Sequence, residues 1–288
     1  MRSTTKRWHL TCMPSQRQSG LSRLSSFPCK VSGDFMIELT AADGHIFSAY
    51  RADPSDTPKG AVVVLPEVFG IDPHIKKITE SFAALGYVAL APTLFDRVKK
   101  NVELGYDEAG LTAGLELKSQ VGTGDAIADI QAAVNAVKDA GKVAIVGYGW
   151  GGYLAYLSGN KVSGLACAIG YYGGGITDAF QEKRKVPTLL HFSEEDPLIS
   201  FEEVAQFRAY RPDVSVFTYP AGHGFNCAER SSYNEEAATK ALERTLFWIS
   251  QYVEGQSPIM LKNAGAYAAA KTDKKKKPAK PTADGPPE

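Results

Sequence analysis

The stretch 143-VAIVGYGWGGYLAY-156 decides how the chain is read. A β-branched run turns into a helix-forming run through Gly147, Gly149, Gly151 and Gly152. Two devices place glycines at such a junction. Gly147, Gly149 and Gly152 fit the G-x-G-x-x-G of a dinucleotide loop. The same residues fit a tight elbow that presents a nucleophile between strand and helix, with Gly149 where a Ser or Cys would act.

Each reading makes a further demand. A dinucleotide loop needs an acid about 20 residues on, at the end of the next strand, to hold a ribose. That strand is 165-LACAIGYY-172, and no acid follows it until Asp178. The loop also follows a late strand rather than the first. An elbow needs an acid and then a histidine, each after a later strand. Asp196 in 193-SEEDP-197 and His223 in 220-PAGHGFN-226 meet that order. An imidazole takes a proton near neutral pH, and a carboxylate holds its tautomer and steadies the imidazolium.

The surroundings agree. Short apolar runs recur at 60–66, 87–92, 143–147, 165–172, 186–192 and 214–219, the near-continuous pattern of strands buried on both faces. Amphipathic segments lie between them. Ile127, Ile130, Val134 and Val137 line one face of 125–141, where Asp125 can cap the start and Gly141 the end. Ser200 and Glu203 form a capping-box pattern, and 235–253 repeats Ala238, Leu242, Leu246 and Ile249 at helical spacing. Runs 35–41 and 46–52 around Gly44 read as an antiparallel hairpin. The expected architecture is α/β, a mostly parallel sheet with helices on both faces.

Composition narrows the function. Lys+Arg and Asp+Glu are equal at 32, which gives no electrostatic support for nucleic-acid binding. No apolar run approaches the roughly 18 residues of a membrane span. The cysteines, Cys12, Cys29, Cys167 and Cys227, are scattered without C-x-x-C. That pattern speaks against a disulfide scaffold or a zinc site and fits a reducing compartment. Residues 1–35 are basic and Ser-rich, with Arg2, Lys6, Arg7, Arg17, Arg23 and Lys30 against Asp34. They read as an extension ahead of a start at Met36, or as a transit peptide. Residues 256–288 end in a Lys/Pro-rich stretch expected to form a disordered tail. One domain is expected over 36–255.

The middle of the chain resembles the dienelactone hydrolase family of α/β-hydrolases, through 66-PEVFGID-72, 91-APTLFDR-97, 146-VGYGWGG-152, 170-GYYGGGI-176, 194-EEDP-197 and 220-PAGHGFN-226, in that order. The resemblance implies a cytosolic hydrolase of lactones or esters with a Cys-His-Asp triad and no cofactor or metal. It makes His223 the general base and Asp196 its orienting acid. Glu67 becomes the acid that touches the resting nucleophile. Arg97 becomes the anchor of a substrate carboxylate, and the amides of Val68 and Trp150 become the oxyanion hole. The family's cysteine falls on Gly149, which cannot form an acyl-enzyme, and Cys227 stands where some members carry a second substrate-binding arginine.

Three accounts of Gly149 stay open: a binding protein that has lost catalysis, direct attack by water with His223 as base, or a one-base change from a Cys codon. Cys167 reads as a small core residue and Cys227 as a thiol outside the elbow, so neither replaces the nucleophile. The expected partner is a small ester or lactone, of the kind that can carry a carboxylate.

Overall fold

The computed structural model describes residues 34–255. The tail expected over 256–288, and the N-terminal extension up to residue 33, lie outside the described residues. Strands β1 (Asp34–Thr40) and β2 (Ile46–Ala52) form the expected antiparallel hairpin, turned by Gly44 at φ +85°. β1 pairs from Asp34, so ordered pairing begins two residues ahead of Met36.

The hairpin extends a sheet completed by β3 (Ala61–Leu65), β4 (Val88–Pro92), β5 (Val143–Tyr148), β6 (Leu165–Tyr171), β7 (Thr188–Glu195) and β8 (Ser215–Gly222). The order is β1-β2-β4-β3-β5-β6-β7-β8. β2 runs antiparallel to β4, and from β4 to β8 every pairing is parallel. The strand order reverses between β3 and β5. In such a sheet the crevice beyond the carboxyl ends at that reversal is where ligands bind.

β7 and β8 run three residues beyond the apolar runs that announce them. Their polar ends still pair, Glu195 opposite Gly222. Asp196 and His223 are therefore the first residues past two neighbouring strand ends.

Helices α1 (Pro73–Ala84), α2 (Glu108–Gln120), α3 (Thr123–Val137), α4 (Trp150–Lys161), α5 (Phe201–Tyr210) and α6 (Glu235–Tyr252) connect the strands. Asp125 does not cap α3. The helix starts earlier, Gly122 occupies the cap position without a side-chain bond, and Asp125 lies in the first turn, where its charge still favours the helix amino end. α3 ends in a tight turn at 138–140 closed by Gly141. The capping box of Ser200 and Glu203 forms at α5. α1 and α2 were not expected. α1 is announced only by Asp72, which caps it, and Pro73 at its first turn. α2 buries only Gly110 and Gly114, so it shows no apolar stripe.

The strands alternate between two cores. Val63, Leu65, Leu90 and Ile145 meet α3 and α4 on one face, and Val62, Val64, Ala89 and Val146 meet α1 and α6 on the other. β3 is fully covered along its length. Each such Val or Leu contributes about 1.5–3 kcal/mol. That burial fixes the positions of the strand ends.

One polar network crosses the second core. His191 Nδ1 lies 2.8 Å from Tyr219 Oη and its Nε2 lies 3.1 Å from Thr245 Oγ1, which in turn lies 2.7 Å from Tyr171 Oη. Complete burial lowers the His191 pKa to about 3, so the ring is neutral. The unfolded chain takes up this proton near pH 6.5 and the folded chain does not. The stability of the neutral ring is complete above that pH and erodes as pH falls toward 3. Between pH 6.5 and 4.5 we expect His191 to remove about 2 kcal/mol. Urea midpoints for the native chain and His191→Gln check this: the variant should lose that part of the acid slope, and identical slopes would refute it.

Candidate active site

The elbow forms where β5 meets α4. Gly149 sits at φ +53°, ψ −117° and caps the helix that Trp150 begins. Its amide donates to Tyr171 O at 3.0 Å, and Gly151 N–H donates to Pro66 O at 3.0 Å. A Cβ at Gly151 would lie 2.4 Å from Leu65 O, so helix and strand touch backbone to backbone here. Only glycine permits that approach. A Cβ at Gly149 would instead meet Glu67 Cγ at 3.3 Å, a close contact with a side chain that can give way.

Glu67 enters from the end of β3, two residues past Leu65, and is 3 % exposed. Its Oε2 accepts from Arg230 Nη1 at 3.0 Å, and its Oε1 is buried without a hydrogen-bond partner. Facing it is Tyr172, whose hydroxyl is likewise buried without a partner. Burial first, and the Glu67 charge second, push the Tyr172 hydroxyl well above its ordinary pKa, so it stays a proton donor. Tyr172 is one of two non-glycine residues at positive φ among the described residues, at 36°. Such strain persists only where the surroundings enforce it. Here the Tyr172 amide is tied to His191 O at 2.7 Å, and the ring stands against His223 at 5.2 Å between centroids.

His223 and Asp196 meet across the ends of β7 and β8. His223 Nδ1 lies 2.8 Å from Asp196 Oδ2, and Leu198 N–H donates to Asp196 Oδ1 at 2.9 Å. The carboxylate is wholly covered and the imidazole nearly so. Two bonds thus orient the acid, and the acid orients the ring with Nε2 left to exchange a proton. An open cleft of about 360 Å³ runs beside His223, Arg230, Tyr106 and Glu229.

Of the residues expected at the site, the fold brings Gly149 to Glu67 and Asp196 to His223, and Tyr172 links the two pairs. Val68 follows Glu67, and Trp150 follows Gly149 with its indole stacked on Phe95 at 5.2 Å. The amides of Val68 and Trp150 donate no hydrogen bond among the described residues.

Arg97 differs from expectation. Its Nε and Nη2 hold the two oxygens of Asp129 at 2.9 and 2.8 Å, and its Nη1 holds Asp43 at 2.8 Å. The guanidinium is spent on α3 and the hairpin turn. Asp129 is completely buried. Burial raises its carboxyl against the pull of Arg97, so its charge depends on that partner. Arg97→Ala should therefore cost about 3–5 kcal/mol by leaving a buried carboxylate unpaired. Denaturant unfolding checks this. A stable variant with only a raised KM would return Arg97 to substrate binding.

Two residues of the site were not singled out in the sequence. Tyr172 lies within the motif 170–176, but nothing marked its hydroxyl. Arg230 had no sequence signal: it follows His223 by seven residues in an irregular loop and reaches Glu67 only because that loop folds back, with the guanidinium over Phe69 at 5.7 Å.

A covered Asp-His pair, a positive-φ glycine elbow at the strand reversal, and a cleft beside the histidine lie together at the carboxyl edge of the sheet. Residues 47–253 match the profile of the Dienelactone hydrolase family, and the chain belongs to that family. It is 31 % identical over 218 residues to a "Putative carboxymethylenebutenolidase" of Synechocystis sp., covering 68 % of this chain and 88 % of that one. It is 30 % identical over 225 residues to carboxymethylenebutenolidase of Pseudomonas putida, covering 74 % and 95 %. The crystal structure of a "Putative Dienelactone Hydrolase" from Klebsiella pneumoniae superposes with a TM-score of 0.67 at 27 % identity, covering 76 % of this chain and all of that one. No helix of the described residues is long and apolar enough to cross a membrane.

Proposed function

We propose that the chain hydrolyses activated esters or lactones slowly, with His223 as general base, Asp196 as its orienting acid, and water in place of the missing nucleophile. The observation that carries this reading is the 2.8 Å contact between His223 and Asp196, beside an elbow that carries Gly149 where a nucleophile would stand. The partnerless Glu67 Oε1 and Tyr172 Oη supply an acceptor and a donor for a polar group at the elbow. His223 takes the proton of the attacking water. The amides of Val68 and Trp150 receive the oxyanion, and His223 then returns the proton to the leaving oxygen. No cofactor enters these steps. Arg230, rather than Arg97, is the cation at the cleft for a substrate carboxylate, which would displace Glu67 from it.

Oxyanion stabilisation and binding alone are expected to give about 10³–10⁴ over water, and general-base catalysis by the His223–Asp196 pair to add about 10²-fold, which is the part the control removes. Steady-state hydrolysis of p-nitrophenyl acetate tests this, with Asp196→Asn as control. Turnover that the variant loses supports the proposal. Turnover equal in both refutes the role of the pair. A second reading, a binding protein without catalysis, is favoured by Gly149 itself. Under it the native chain shows no turnover but binds a carboxylate-bearing ester, with affinity that falls in Arg230→Ala.

A further inference from the structure

A second cluster lies beside this site and takes no part in the chemistry above. His74 at the start of α1 meets Cys227 and Glu229 of the loop between β8 and α6, and one donor atom from each lies within 4.8 Å of the others. His74 Nδ1 is 3.5 Å from Glu229 Oε2, and Cys227 Sγ is 3.3 Å from the same oxygen. His74 is 6 % exposed, yet its Nε2 has no hydrogen-bond partner.

A tetrahedral ion bound at about 2.0–2.1 Å to nitrogen, 2.0–2.2 Å to oxygen and 2.3 Å to sulfur spaces its ligands by about 3.3–3.6 Å. The two separations given above match those edges. The local charge agrees. Glu67, Asp72 and Glu229 are acids of this region, and among the described residues the ion pair of Arg230 is with Glu67. Supporting contacts are in place as well. Asp72 caps α1 through Ile75 N–H at 2.9 Å and accepts from Tyr106 Oη at 2.6 Å, and Tyr106 lies against Cys227. There is also a path in. Glu229 is 43 % exposed at the cleft beside His223, and His74 lines a separate cavity of about 340 Å³ between α1 and α6.

The geometry points to a site for one borderline divalent cation, Zn²⁺ by its donor set, held by His74, Cys227 and Glu229 with a fourth position left for water. Mixed nitrogen, sulfur and oxygen donors in a set of three suit zinc better than magnesium or calcium, which prefer oxygen alone. On binding, the Cys227 thiol proton leaves to solvent and the metal takes the thiolate. This site is independent of Gly149 and of whether the elbow turns over.

Cobalt reports it directly. Co²⁺ titrated into the full-length chain should give intense tetrahedral visible bands and a thiolate-to-metal band in the near ultraviolet, at one equivalent, and Zn²⁺ should bleach both. Because losing even a supporting contact costs a metal site 10–100-fold, Cys227→Ser should weaken Zn²⁺ by about 100-fold or more and abolish the thiolate band. Glu229→Gln changes a half-exposed side chain and should fold, so it carries the test if Cys227→Ser does not. It should weaken Zn²⁺ at least about tenfold and cancel the rise in Tm that Zn²⁺ gives the native chain. Bands unchanged in both variants would overturn the site. So would bands that disappear in Cys12→Ser/Cys29→Ser while persisting in Cys227→Ser.

Discussion

Gly149→Cys is expected to raise kcat for p-nitrophenyl acetate by about 10³–10⁶-fold and to introduce a burst of one acyl group per chain. Removing the nucleophile of a triad costs about 10⁶ in kcat, which sets the upper end. The lower end reflects the local geometry. The new Cβ meets Glu67 Cγ at 3.3 Å, and Glu67 is already engaged by Arg230. The backbone is preset, because Gly149 holds φ +53° in the chain as it stands. A cysteine there is held at φ +53°, ψ −117°, a sparsely populated backbone conformation that costs about 1–3 kcal/mol, so the gain in activity should come with a fall in Tm. Stopped-flow release of p-nitrophenol reads the burst. A folded variant with neither burst nor acceleration would show that Gly149 is not the position of the missing group.

His223→Ala has an effect that depends on the chain that carries it. In Gly149→Cys it should remove about 10⁴-fold or more and eliminate the burst, since the thiol then has no base. In the native chain the same change should cost far less, because residues that act as a unit lose most of their worth once one member is gone. The difference between the two losses measures the coupling of position 149 to His223 directly. Equal losses in both chains would mean that the histidine acts without the elbow. The 2.8 Å bond to Asp196 makes Asp196→Asn an intermediate case, expected to retain the ring but in the wrong tautomer.

The covered Asp-His pair was legible because both residues stand in chain order just past apolar runs. Its geometry was not. The runs end at residues 192 and 219, and only pairing of the polar strand ends carries β7 to Glu195 and β8 to Gly222. A ladder hydrogen bond does not need an apolar side chain, so hydropathy stops short of the true strand end. Helix α2 escaped for the opposite reason, since its buried residues are glycines and leave no stripe to read.

The sequence by itself determined the order of the strands, helices α3 to α6, the α/β class, the elbow and the Asp-then-His arrangement, because these are written in local periodicity and in residues close to one another along the chain. Arg97, Arg230, Tyr172 and the His74–Cys227–Glu229 cluster were decided only by the tertiary structure. Arg97 reads as a site residue until Asp129, 32 positions away, takes its guanidinium. His74 lies about 150 residues from Cys227 in sequence, a spacing no motif describes, and within 4.8 Å of it in space. Which charges pair and which polar atoms are left without partners depends on packing between distant elements, and that packing is set by the whole sheet rather than by any segment of it.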